Sequence, residues 1–175
     1  MPHTSKCILT IGITSLFVGA CDPATSPPTA TLPKVQGPNL TAASGSVTTL
    51  LALANAGELH WQSNLDHFTI QLMTHDDTDV AVATQVTSVG GSSGWHYHPG
   101  PVLVLVKTGV VTTYRGDDPT CQGTTYSAGK VFIEGTEPHF LRNEGAVTAE
   151  LLLVMLVPAG RPRRIDAPAP GHCAF

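Results

Sequence analysis

The 175-residue sequence predicts an all-β domain, and three observations carry that expectation. Short runs rich in Val, Thr, Leu and aromatic residues recur from residue 65 onward, clusters of Gly, Pro, Asp and Ser separate them, and helical periodicity is scarce. Many short strands at even spacing argue for a closed sandwich or barrel, because closure removes the unpaired edges that template aggregation.

Two segments precede that domain. MPHTSKCILTIGITSLFVGAC has a short polar start carrying Lys6 and then an apolar core of about 14 residues, too short to span a bilayer comfortably. It ends in Val18-Gly19-Ala20-Cys21, which resembles the lipobox of bacterial lipoproteins. The resemblance implies a lipoprotein signal peptide over residues 1–20 and lipidation at Cys21. The mature protein would then be exported and held at a bacterial membrane of the cell envelope by acyl chains rather than by a spanning helix. An ordinary secretory signal, with a secreted or periplasmic product, is the alternative. Residues 21–40 are rich in Pro, Thr and Ala and poor in large apolar groups, so they cannot offset their own ordering entropy and read as a disordered tether. Asn39-Leu40-Thr41 matches an N-glycosylation acceptor, but only a eukaryotic secretory route would use it.

The domain itself is placed at 41–160, with a Pro-rich tail at 161–175. Residues 47–56, VTTLLALANA, fit either a helix or a strand at the barrel's flank. Strands are expected at 68–72, 79–89, 102–107, 110–115, 130–133, 139–143 and 149–157, with turn chemistry in HDDT, VGGSSG, RGDDPT and NEGA between them. Residues 102–106, VLVLV, are apolar on both faces, so this strand is buried on both sides or meets the partner of a homodimer. No repeat of fixed period suggests a solenoid or propeller.

Charge and cysteine usage narrow the function classes. Charged side chains make up 13% of the chain and the formal charge is −4, so no nucleic-acid partner is indicated. Signal removal eliminates Cys7 and lipidation consumes Cys21, leaving Cys121 and Cys173, which in an oxidising compartment read as a disulfide pinning the tail to the DDPTC loop. The alternative is two unpaired surface thiols. Ser92-Ser93 lies in a glycine loop and no Gly-X-Ser-X-Gly elbow occurs, which argues against a serine hydrolase. The HDDTD cluster lacks the twelve-residue calcium-loop pattern, and no phosphate loop is present.

The chemistry concentrates in GWHYHPGPVLVLVKTG, residues 94–109. Alternate strand residues share a face, so His96 and His98 project together while Trp95 and Tyr97 point away to pack. Neutral imidazoles converging on one point suit divalent Fe, Cu, Ni or Zn. Such a pair is commonplace alone, but a second segment, GKVFIEGTEPHFLRN at 129–143, adds a strand, a glycine turn, a third histidine and an asparagine. Together the two segments resemble the motifs of the cupin superfamily, with Gly90, His96, His98 and Gly109 matching the first and Gly129, His139 and Asn143 the second. The resemblance spans about residues 66–157 and implies a cupin-type β-barrel (a double-stranded β-helix, or jelly roll) with metal ligands His96, His98 and His139. The sequence departs from the pattern twice. Val102 stands where the first motif usually carries its glutamate ligand, and the second motif is one residue short, with Glu134-Gly135 in place of a Pro-X-Gly turn. A carboxylate-free set of three histidines is therefore expected, with Glu134 and Glu137 as solvated turn residues; the alternative is that one of the two contacts an imidazole or supplies a fourth ligand. His60, His67 and His172 have no partner at ligand spacing.

The resemblance implies a divalent metal ion (Fe, Mn, Ni or Zn) presented to a small organic molecule. One reading is an Fe(II)-type dioxygenase or an isomerase. The other is a module of the cell envelope that binds metal or a small ligand without turnover.

Overall fold

A computed structural model describes residues 42–173; the expected signal peptide, Cys21 and the tether lie outside the described residues. The chain forms β1 (Ser44–Gly57), β2 (His60–Leu65), β3 (Phe68–Met73), β4 (Thr78–Ser92), β5 (His96–Tyr97), β6 (Val102–Thr108), β7 (Val110–Arg115), β8 (Thr124–Ser127), β9 (Val131–Glu134), β10 (His139–Arg142), β11 (Ala149–Pro158) and β12 (Ile165–Asp166). Among the described residues there is no helix, so the all-β expectation holds.

Ten strands make one antiparallel sheet that folds into two halves. One half runs β1-β4-β11-β6-β9 and the other β12-β5-β10-β7-β8, joined where Ser92 at the end of β4 pairs with Arg142 of β10. From β4 onward, apart from the hairpin β7–β8, successive strands alternate between the halves, which is the connectivity of a double-stranded β-helix. β2 and β3 pair separately as a two-stranded hairpin.

Period-two alternation builds the core. Ala81, Ala83, Val102, Val104, Val106, Leu151, Leu153, Met155 and Val157 point inward, each at most 4% exposed, and their neighbours along each strand point out. The two long strands β4 and β11, both rich in apolar and β-branched residues, pair over ten residues and form the spine of the first half. Gly109 turns β6 into β7 at φ 77°, in a spot where a Cβ would lie 2.8 Å from the Ala149 Cα, so both conformation and space demand glycine there.

Residues 47–56 resolve as strand. They lie in β1, whose partner β4 supplies the ladder bonds that an isolated LLALA run would otherwise make within a helix. The tail folds onto the domain: β12 pairs with β5, and a Cys121–Cys173 disulfide closes it against the turn after β7. Trp95 is buried with Phe140, Tyr114 and Cys173 in a second cluster beneath that disulfide, in the packing role its sequence position suggests.

Candidate metal centre

Short extended segments bring the three histidines together. His96 on β5 and His139 on β10 are directly opposed across the antiparallel pair, and His98 follows His96 on the same face. Ring centroids are 4.4 Å apart for His96 and His139, 4.9 Å for His96 and His98, and 5.2 Å for His98 and His139. All three side chains are buried.

Backbone carbonyls orient each ring. His96 Nδ1 lies 2.9 Å from the Gly94 carbonyl, His139 Nδ1 2.8 Å from that of Glu137, and His98 Nδ1 2.6 Å from that of Arg163 in the tail. A carbonyl oxygen can only accept, so each Nδ1 carries a proton and, in the neutral ring, the lone pair is on Nε2. This is the arrangement by which outer groups fix the tautomer of metal-binding imidazoles. Gly94, at φ 69°, makes the bend that aims its carbonyl back at the ring two residues on.

The expected carboxylate-free set is corrected by the structure. Glu134 is no solvated turn residue: its side chain is 8% exposed, and Oε2 lies 3.4 Å from His139 Nε2 and 3.6 Å from His98 Nε2. The reason is register. Glu134 on β9 is the antiparallel partner of Val102 on β6, so its carboxylate projects to the same inner face from the neighbouring strand. The carboxylate missing from position 102 is thus replaced from across the ladder. Glu137 stays exposed and contributes its carbonyl only. His60, His67 and His172 are exposed and lie outside the cluster.

The ligand-capable atoms of His96, His98, Glu134 and His139 all lie within 4.8 Å of one another. His98 Nε2, His139 Nε2 and Glu134 Oε1 are buried with no hydrogen-bond partner. Three orphaned polar atoms in one place cost several kcal/mol in total, about 1–3 kcal/mol each, unless a further group satisfies them. A divalent ion fits the gap. Two donors each about 2.1 Å from one ion at a tetrahedral angle stand about 3.4 Å apart, close to the spacings of Glu134 from the two imidazoles. Three neutral nitrogens and one carboxylate suit Fe, Mn, Ni or Zn, and a six-coordinate ion would keep two positions open.

The electrostatics agree with a ligand set. Burial drives His96 well below the ordinary imidazole range, and the charges of His139 and Arg164 push the same way, so His96 is neutral at pH 7. Burial also opposes protonation of His139, but the Glu134 carboxylate outweighs it and raises the imidazole. Burial opposes the Glu134 charge in turn, yet His139 and His98 hold the carboxylate well below its usual range. Arg164, whose Nη2 donates to the Ser93 carbonyl at 2.8 Å and Nε to Asp166 Oδ1 at 2.7 Å, keeps a fixed positive charge beside the centre.

Two cavities reach the cluster from different sides. One of about 360 Å³ is bounded by His96 and His98, with Ala83, Leu153 and Met155 as apolar wall and Gln85 and Arg164 as polar groups. The other, about 810 Å³, is an open groove bounded by Glu134 and His139. Both are of a size that accepts a small organic molecule. Asn143, the last residue of the second motif, is fully buried away from the cavities. It donates to the Thr87 and Val147 carbonyls and accepts from Gly145 N–H, fastening the β10–β11 turn.

No family model matches the chain, and no curated protein does. Among solved structures, the chain is similar to an oxalate oxidase in complex with glycolate, at 17% identity and a TM-score of 0.45, over 74% of this chain and 56% of that one. It is also similar to a cupin superfamily protein from Desulfitobacterium hafniense, at 16% identity and 0.43, over 64% and 77% of the two chains. A double-stranded β-helix protein from Klebsiella pneumoniae gives 19% identity and 0.43, over 65% and 87%. The chain spans about half the length of the oxalate oxidases it matches.

Proposed function

We propose that this chain is a metallo-cupin in which His96, His98, His139 and Glu134 hold one divalent ion and present it to a small organic molecule. The observation that carries the reading is the set of buried, unpartnered donor atoms converging on one point while every Nδ1 is occupied by a carbonyl. The ion would supply Lewis acidity and open positions for a substrate oxygen or for dioxygen. The chain's own groups do the rest. Leu153 and Met155 give the 360 Å³ cavity an apolar wall, and Arg164 and Gln85 offer a cation and an amide to a polar substituent. Among the described residues no carboxylate other than Glu134 stands at the cluster, which favours oxygenation or metal-assisted isomerisation over hydrolysis by a carboxylate base.

The protein is further proposed to be exported and anchored through a lipid on Cys21. The lipobox-like Val18-Gly19-Ala20-Cys21 supports this, as does the Cys121–Cys173 disulfide, a bond suited to an oxidising compartment. A lipid-mass adduct on Cys21 is the expected finding, and an unmodified N-terminus further along the chain would refute the anchor.

Elemental analysis of the wild type beside His96→Ala and His139→Ala tests the centre. One ion per chain in the wild type and none in the variants is expected; equal metal in all three overturns the site. Oxygen uptake by the loaded protein with diketones, thiols and phenols then tests turnover. Bound metal with no reaction would favour a binding module.

A further inference from the structure

The two cavities that reach the centre are opposite in charge. The 810 Å³ groove is bounded by the carboxylates of Asp118, Glu134 and Glu137, and its one arginine, Arg115, is bound to both oxygens of Asp117. The 360 Å³ cavity is bounded by Arg163 and Arg164 and by no acidic residue. Asp166 offsets Arg164 at 2.7 Å, whereas Arg163 has no acidic partner among the described residues. Burial is the main force against protonation of His96 and His139, and the Arg164 charge adds to it at both rings, so that charge acts on the centre itself. An anion is thus repelled by the groove and drawn to the smaller cavity.

The smaller cavity also holds a donor without a firm partner. Gln85 is 8% exposed, yet its amide contacts with Thr48 and Thr87 are both 3.4 Å long. A primary amide has two N–H groups to give, and here the nitrogen makes one long bond. Ala83, Leu153 and Met155 form an apolar wall beside it.

A charge count selects the kind of anion. A divalent ion held by three neutral imidazoles and Glu134 keeps one of its two positive charges, and a buried charge left unbalanced is costly. A monoanion balances it. A phosphate monoester, at about −1.5 to −2 near pH 7, overshoots. The planar fork of arginine matches the two oxygens of a carboxylate. Resting on the metal centre proposed above, we propose that the substrate is an organic monocarboxylate entering by the 360 Å³ cavity, with its carboxylate toward Arg164 and Gln85 and its apolar body against Leu153 and Met155.

Calorimetric titration of the zinc-loaded full chain, carrying Cys21→Ser to keep acyl groups off it, tests this at pH 7. Hexanoate should bind about 10-fold or more tighter than hexan-1-ol, hexylammonium or hexyl phosphate, the equivalent of one hydrogen bond to a charged group. Arg164→Gln should remove most of that preference while leaving hexan-1-ol unchanged, and Arg164→Lys, which keeps the charge, should retain a preference for the anion. Because Arg164 also donates to the Ser93 carbonyl, its loss could loosen the tail; a purely structural effect would weaken hexanoate and hexan-1-ol alike and overturns the inference. So does hexanoate binding no tighter than the other three probes, or an unchanged preference in Arg164→Gln. Elemental analysis of the same samples keeps the two readings apart: a chain that retains no zinc removes the metal centre and this inference with it, whereas one zinc per chain without the carboxylate preference sinks this inference alone.

Discussion

The two halves of the barrel contribute to the centre in different ways. The β12-β5-β10 side supplies three imidazoles, each locked by a carbonyl a short reach away. The β6-β9 side supplies one carboxylate whose only specification is that Glu134 faces Val102 across a ladder. The rings of His96 and His139 are thus set by carbonyls two residues away and that of His98 by the tail, whereas the carboxylate is set by strand register. A ligand fixed by register can change strands without disturbing the fold, provided it stays in the same cross-strand pair.

Breaking the imidazole side should have the largest effect. His139→Ala removes a donor and the partner that holds the Glu134 charge, and it should abolish stoichiometric metal, read by elemental analysis after dialysis. Next comes the tail that supports this side. The disulfide closes a separation of 52 residues, for which the chain-entropy model gives about 4 kcal/mol. Cys121→Ser with Cys173→Ser should lower the denaturant midpoint accordingly and also weaken metal binding, because β12 and the Arg163 carbonyl brace β5 and His98.

The carboxylate side should respond more gently. Glu134→Gln should weaken metal affinity about 10- to 100-fold, the range seen when a tuning group at a metal site is lost. The sharper test is the exchange Val102→Glu with Glu134→Val. If register is what matters, this double variant binds metal more tightly than Glu134→Val alone in a competition titration; equal affinities would break the comparison.

The smallest effect is a proton count. The pKa of His139 is raised in the metal-free protein and that of His96 is depressed, so at pH 7 metal uptake should displace a proton from His139 and none from His96. Apparent affinity should therefore begin to fall while pH is still above 6.5, as protons compete for His139. Calorimetry in buffers of different ionisation heat should find up to about one proton released by the wild type and fewer by Glu134→Gln.

What the sequence disclosed follows the same division. His96 and His98 were legible because alternation along a strand is a local rule, and His139 because a glycine turn and Asn143 accompany it. Glu134 could be named only as one candidate beside Glu137, since its place depends on how β9 meets β6, a non-local pairing no spacing records. The core strands β4, β6, β7, β10 and β11 stood out through β-branched and leucine content. β1 was ambiguous because its Ala-Leu run suits either state until β4 supplies the ladder. β2, β8 and β12 were hidden by polar composition or by brevity, and the two residues of β12 are extended only because β5 lies beside them.

The hold of the Arg163 carbonyl on His98 has a temporal consequence. Arg163 follows His98 by 65 residues, so a ribosome must pass that point before the ring can be aimed, and oxidation of Cys173 then keeps the brace in place. On the proposed metal reading, ion capture would wait until the tail has docked, so whichever compartment forges the sulfur bridge would also determine which element meets a finished grip.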